Sequence, residues 1–165
     1  MPIADMLIIE FDREAASTRR MLERYPTGKD SWKPHDKSMT MTQLAGHIST
    51  LPNFATQVAS TDRMDMNPGD YKPFNPTSPA EALKRFDEET AKARTAIAKV
   101  GDADMNKHWI FAYQGKVYVD EPRLDALRSF YFNHVVHHRG QLTVYYRLNG
   151  IPVPGLYGPS ADEQM

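Results

Sequence analysis

Apolar residues recur at helical spacing along most of this chain, and the places where the recurrence stops divide it into four rods. From Ile3 to Tyr25 the positions Leu7, Phe11, Thr18, Met21, Leu22 and Tyr25 share one side of a helix until Pro26-Thr27-Gly28 interrupts them. Thr27 to Ser38, rich in turn formers, reads as a connecting loop. Thr40 followed three residues later by Gln43 has the form of a capping box and predicts the start of a second helix. Its inward stripe is Thr40, Gln43, Leu44, His47, Leu51, Phe54 and Val58, and Pro52, which cannot donate a backbone hydrogen bond, should kink it. Asp62 to Thr77 carries Pro68, Gly69, Pro73 and Pro76 and reads as a long loop. Ser78-Pro79-Ala80-Glu81 opens a third helix, with Leu83, Phe86, Thr90, Ala93, Ile97 and Val100 inward, ended by Gly101-Asp102. Trp109–Tyr113 and Lys116–Val119 flank Gln114-Gly115 as a short hairpin would. Asp120-Glu121-Pro122 then starts a last long helix that stops at Asn149-Gly150, leaving Val153 to Met165 as an irregular tail. The pattern predicts an all-α four-helix bundle, with a short hairpin before the last helix, in one domain over residues 1–165.

Composition narrows the chemistry. A formal net charge of -1 and the lack of a basic run remove the electrostatic footprint of direct nucleic-acid binding. No apolar stretch reaches the roughly 18 residues of a membrane span, and the N-terminus lacks the basic-then-apolar order of a signal peptide, so a cytoplasmic protein with no membrane partner is expected. With no cysteine, the chain has neither a thiol nucleophile nor a thiolate metal ligand of its own, and any bound metal must use imidazole, carboxylate or water.

The candidates are therefore among the histidines. At about 100° per residue, His134 and His138 lie one turn apart near the middle of a stripe that holds Leu124, Leu127, Phe130, Tyr131, Gln141, Leu142, Tyr145 and Leu148. Two imidazoles at this spacing can chelate one ion from one helix, and His47, central on the second helix, can complete a three-nitrogen set if the two rods are neighbours. A lone core-facing histidine is ordinarily just a hydrogen-bonded interior residue. A pair on one apolar stripe is harder to explain so, because two unpartnered imidazoles there would be expensive to bury. His137 falls toward the stripe edge, as a supporting or surface residue. His35 and His108 carry no supporting pattern and read as solvent-facing. Arg139, about 140° from His134, reads as a surface or interface residue. Phe132, Val136, Gly140 and Thr143 make the opposite face of the last helix unusually apolar, which suits either a dimer contact or cover by another helix of the same chain.

Asn133-His134-Val135-Val136-His137-His138-Arg139-Gly140-Gln141-Leu142, preceded in the chain by Ala45-Gly46-His47-Ile48, resembles the DinB family of metal-binding four-helix bundles. The likeness continues through Tyr145-Tyr146-Arg147-Leu148-Asn149-Gly150, Val153-Pro154 and Tyr157-Gly158-Pro159-Ser160. It implies an up-down-down-up bundle with a long crossover, one divalent ion on His47, His134 and His138, and frequently a homodimer. Nickel and zinc are the ions it favours, and three neutral nitrogens also accept iron or manganese.

Three functions follow. In the leading one the metal's open position binds a low-molecular-weight thiol and presents thiolate to a small electrophilic substrate, with Gln43, Gln141 and His137 as candidates to orient ligands or bound molecules. The first alternative, a metal-dependent hydrolase, needs a general base; no carboxylate shares the His134 stripe, and Asp36 and Asp162 fall in segments of undetermined position. The second is a non-catalytic metal-binding protein of stress response or interaction.

Overall fold

In the computed structural model, which describes residues 1–164, the first rod is α1 (Ile3–Leu22). Ala4, Leu7, Phe11, Ala15, Thr18 and Met21 are buried at three- and four-residue intervals, and Asp102 caps its start by accepting from Ile3 N at 2.8 Å. The capping box at Thr40 is present in both directions and opens α2 (Met41–Thr50). Pro52 breaks that rod as expected. It takes the first position of α3 (Pro52–Ser60), where a missing N–H is harmless, and Leu51 is shared by both helices. Ser78 accepts from Glu81 N at 3.2 Å to start α4 (Pro79–Ile97), and a single turn, α5 (Asp102–Met105), follows.

The last rod is less regular than its sequence suggests. It comprises α6 (Arg123–Leu127), a π-helical turn over Arg128–Phe132, and α7 (Asn133–Leu148). α1 packs on α4 and α7, while α2 and α3 pack on α4 and on the last rod, so the rods form a four-cornered bundle with α1 and α2 on a diagonal. A hydrophobic cluster running from Ala4 to Val153 fills the space between them.

The all-α expectation needs correction, because a three-stranded sheet in the order β1-β2-β3 is attached to the bundle. The hairpin itself was legible: β2 (His108–Tyr113) and β3 (Lys116–Pro122) pair antiparallel, with positive φ at both Gln114 and Gly115, as a tight hairpin turn requires. The additional strand, β1 (Arg63–Met66), lies in the segment read as loop and pairs parallel to β2. β3 also extends through Asp120-Glu121-Pro122, the residues expected to open the last helix. Asp120 sits opposite Ile110 in the sheet, and the helix begins only at Arg123, whose N–H donates to Lys107 O at 2.8 Å.

The tail has neither helix nor strand through Gln164, as expected, yet it is tied down. Arg20 donates to Gly155 O at 2.7 Å, Arg147 to Asp162 at 2.7 Å, and Ser160 to Val153 O at 2.6 Å. Met165 lies outside the described residues. Among the described residues no helix is long and apolar enough to cross a membrane.

Candidate metal centre

His47 stands in the last turn of α2, just before the break at Pro52, and His134 and His138 stand in the first two turns of α7, just after the π turn. Their rings converge. Each offers a nitrogen within 4.8 Å of those of the other two, and His47 Nε2 lies 3.3 Å from His134 Nε2. The ring centroids of His47 and His138 are 4.5 Å apart and those of His134 and His138 4.7 Å.

Hydrogen bonds on the far sides of two rings set their polarity. His134 Nδ1 is 3.3 Å from Phe130 O and His138 Nδ1 is 2.8 Å from Gln141 Oε1. Both partners can only accept, so both Nδ1 atoms carry the proton and both Nε2 atoms present lone pairs. All three imidazoles are biased toward the neutral form. Burial, then the neighbouring His138 and His134, pushes His47 down to about 4. Burial lowers His134 and His138 as well, against the hydrogen bonds to Phe130 and Gln141, which raise them.

This donor set fits a divalent ion. Bonds of about 2.0–2.1 Å to imidazole at a tetrahedral centre separate neighbouring nitrogens by about 3.3 Å, and the His47–His134 spacing already has that value. The side chains are partly buried, and Phe54 flanks the cluster with its ring centroid 6.1 Å from that of His134. A groove of ≈ 480 Å³ lined by Ser129, Phe130, Asn133, His134 and His137 gives outside access. A larger cavity of ≈ 670 Å³ between α3 and α4 is lined by no histidine.

A family model described as the DinB superfamily matches residues 10–142, a span that includes all three converging histidines. The chain belongs to the DinB superfamily. A DinB-like protein from Bacillus cereus ATCC 10987 shares its fold with a TM-score of 0.71 at 24% identity, over 94% of this chain and 98% of that one. Another DinB-like protein, YjoA of Bacillus subtilis, gives a TM-score of 0.67 at 18% identity, over 97% of this chain and 99% of its own. A 38-residue stretch is 50% identical to the uncharacterized protein YrdA of Bacillus subtilis strain 168, covering 23% of each chain.

The other residues singled out in this DinB chain sort differently. Gln141 touches the cluster through His138, and its Nε2 lies 3.1 Å from Nε2 of the exposed His137. Gln43 instead closes the cap of α2, its Oε1 accepting from Thr40 N at 2.8 Å. Neither carboxylate considered as a base is free near the histidines: Asp36 is fully exposed beside Lys33, and Asp162 is paired with Arg147. His35 and His108 are exposed, His108 bonding Asp120 at 2.6 Å.

Arg139 overturns its surface reading. It is 1% exposed and donates at 3.0 Å to both Glu14 O and Thr18 Oγ1, besides pairing with the Glu14 carboxylate and Tyr157. Tyr157, itself exposed, in turn donates to Glu14 Oε2 at 2.7 Å, so one network, buried at Arg139, Thr18 and Glu14, joins α7, α1 and the tail. On the supposed opposite face Phe132 is buried beside Phe11, whereas Val136 and Gly140 are open. Leu148, placed on the core stripe, is 61% exposed.

Gly46 went unread as a determinant of the site. The backbone at Phe74, in the segment between β1 and α4, presses on it, leaving no room for a side chain next to His47. A glycine inside a helical pattern usually has a packing reason, and that was the available signal.

Proposed function

We propose that this DinB protein binds one divalent transition ion through His47, His134 and His138, nickel or zinc foremost and iron or manganese as alternatives. We further propose that it uses the open side of that centre to transfer a low-molecular-weight thiol to a small electrophile. The observation that carries the reading is the convergence of three neutral imidazoles from two separate rods within 4.8 Å. An ion bound there would supply Lewis acidity, lowering the pKa of a thiol at its open position.

The chain's own residues account for the remainder. Phe54 and Phe130, whose ring centroids are 6.4 Å apart, give the site an apolar wall that disfavours bulk water. Ser129, Asn133 and His137 line the groove through which an electrophile would reach it. With no cysteine in the sequence, the sulfur nucleophile has to arrive as a co-substrate. Hydrolysis draws less support, since the recorded partners of the three imidazoles are another imidazole, a backbone carbonyl and an amide rather than a carboxylate base. A homodimer belongs to the same proposal, supported by Val136, Val144 and Leu148 standing exposed along α7, and light scattering of purified protein tests it.

Elemental analysis of purified protein, zinc titration and conjugation of a thiol to monochlorobimane test the function. His134→Ala should weaken zinc binding by more than the roughly 10–100-fold typical of removing a ligand's supporting residue, and should abolish conjugation. Equal conjugation rates for wild type and variant would remove the transferase reading. Metal bound at the site without conjugation would leave a binding protein.

A further inference from the structure

Gln141 lies between two imidazoles and makes a directed bond to each. Its Oε1 is 2.8 Å from His138 Nδ1 and its Nε2 is 3.1 Å from His137 Nε2. An amide oxygen only accepts and an amide nitrogen only donates. The His138 proton is therefore on Nδ1, and His137 accepts at Nε2 while keeping its own proton on Nδ1.

The reversed amide would turn its NH2 group toward His138 Nδ1. That arrangement would move the His138 proton to Nε2, the nitrogen that the Gln141 contact leaves for the ion, and block it as a ligand. The observed orientation pairs NH2 with Nε2 of His137, which accepts only while the His137 proton is on Nδ1. Free neutral histidine favours the Nε2–H tautomer, so an exposed ring with no such partner would tend the wrong way. His134 draws the same service from a backbone carbonyl, at 3.3 Å, whereas His138 depends on a side chain.

We propose that Gln141 is a positioning residue that locks His138 in the Nδ1–H tautomer and so keeps its Nε2 lone pair free for the shared ion. The inference rests on the metal-binding reading above, but the tautomer is a property of the metal-free protein and can be observed by itself.

The test uses the full chain with 15N-labelled histidine and long-range 1H–15N correlation spectra of the metal-free protein, beside zinc affinity measured by competition with a chromophoric chelator. Wild type should show protonated Nδ1 and unprotonated Nε2 at His138. Gln141→Leu should populate the Nε2–H tautomer and weaken zinc binding about 10–100-fold. Gln141→Glu, which keeps an acceptor at that place, should restore the wild-type tautomer and most of the affinity. Because Gln141 is exposed, these changes empty no core volume, and circular dichroism checks the fold. An Nε2–H pattern at His138 in wild type, or unchanged tautomer and affinity in Gln141→Leu, overturns the positioning role. Failure of wild type to bind zinc, with the Nδ1–H tautomer present, overturns instead the metal reading beneath it.

Discussion

Gly46 shows how closely one residue can govern the centre without touching it. A Cβ at this position would fall 1.7 Å from Phe74 O and 2.9 Å from Pro76 Cδ, both in the segment that crosses α2. That segment is held by Thr42 of α2 and by Tyr25, just beyond α1, which donate to Pro76 O at 2.8 and 3.2 Å, so it cannot simply lift away. Alanine is favoured over glycine by about 1 kcal/mol in a helix interior, and for an unobstructed site Gly46→Ala would stabilise. Here the collision opposes that gain, and a net destabilisation of about 1–3 kcal/mol is expected, the range for overpacking. The adjacent His47 should also shift and weaken zinc binding. Urea denaturation checks the first part, and a midpoint equal to or above wild type would refute the close approach.

At the scale of elements, the last rod shows what periodicity can and cannot deliver. The sequence places His134 and His138 on one face and His47 on a neighbouring rod, and the structure brings the three together. It also places the hairpin and two helix caps correctly, because each has a local chemical signature: Gln-Gly at the turn, Thr or Ser three residues ahead of a backbone donor. What failed was the centre of the buried arc on α7. Val135, His138, Arg139, Leu142, Tyr145 and Tyr146 are the buried positions, an arc centred about 80° from His134 when residues are spaced at about 100°. His134 thus sits at the arc's edge, which is why the groove reaches it. Arg139 was misplaced because its burial depends on Glu14, 125 residues away, and no local pattern announces such a partner. Strand β1 escaped for a similar reason, since Arg-Met-Asp-Met does alternate but is short, and its partner β2 is remote in the chain. The Arg139 network supports a direct prediction. Arg139→Met would leave Glu14, 9% exposed, without its counter-charge, and should destabilise by about 3–5 kcal/mol, as breaking one side of a buried ion pair does. The double variant with Glu14→Leu should recover much of the loss. A purely additive double-mutant cycle would mean that the two side chains do not act as a pair.

For the molecule as a whole, a cluster of three histidines assembled from two rods ties folding stability to acidity. In the metal-free protein His47 titrates at about 4 rather than near its ordinary value of 6.5, chiefly because it is buried, and His134 and His138 are lowered in the same direction. Above pH 6.5 these rings are neutral in both folded and unfolded chains, and they contribute no slope. Between 6.5 and about 4 the unfolded chain takes up protons that the folded one refuses, so stability must fall as the pH is lowered through that window. One pKa unit corresponds to about 1.4 kcal/mol, and with a discount for partial exposure His47 alone should account for a loss on the order of 2 kcal/mol. Carboxylates such as Asp162 and Glu163, whose values are lowered by Arg147 and by the Gly155 N–H, make their own losses at lower pH and leave the upper part of the window to the histidines. Urea melts of chelator-treated protein at pH 7.5, 5.5 and 4.5 should therefore show a decline that is shallower in His47→Gln. Saturating zinc should raise stability at pH 7.5, as any ligand specific to the folded state does, with the increment growing with free zinc. A wild-type decline no steeper than that of His47→Gln would mean that the His47 ring is solvated in the folded chain, contrary to the burial on which its neutrality as a ligand depends.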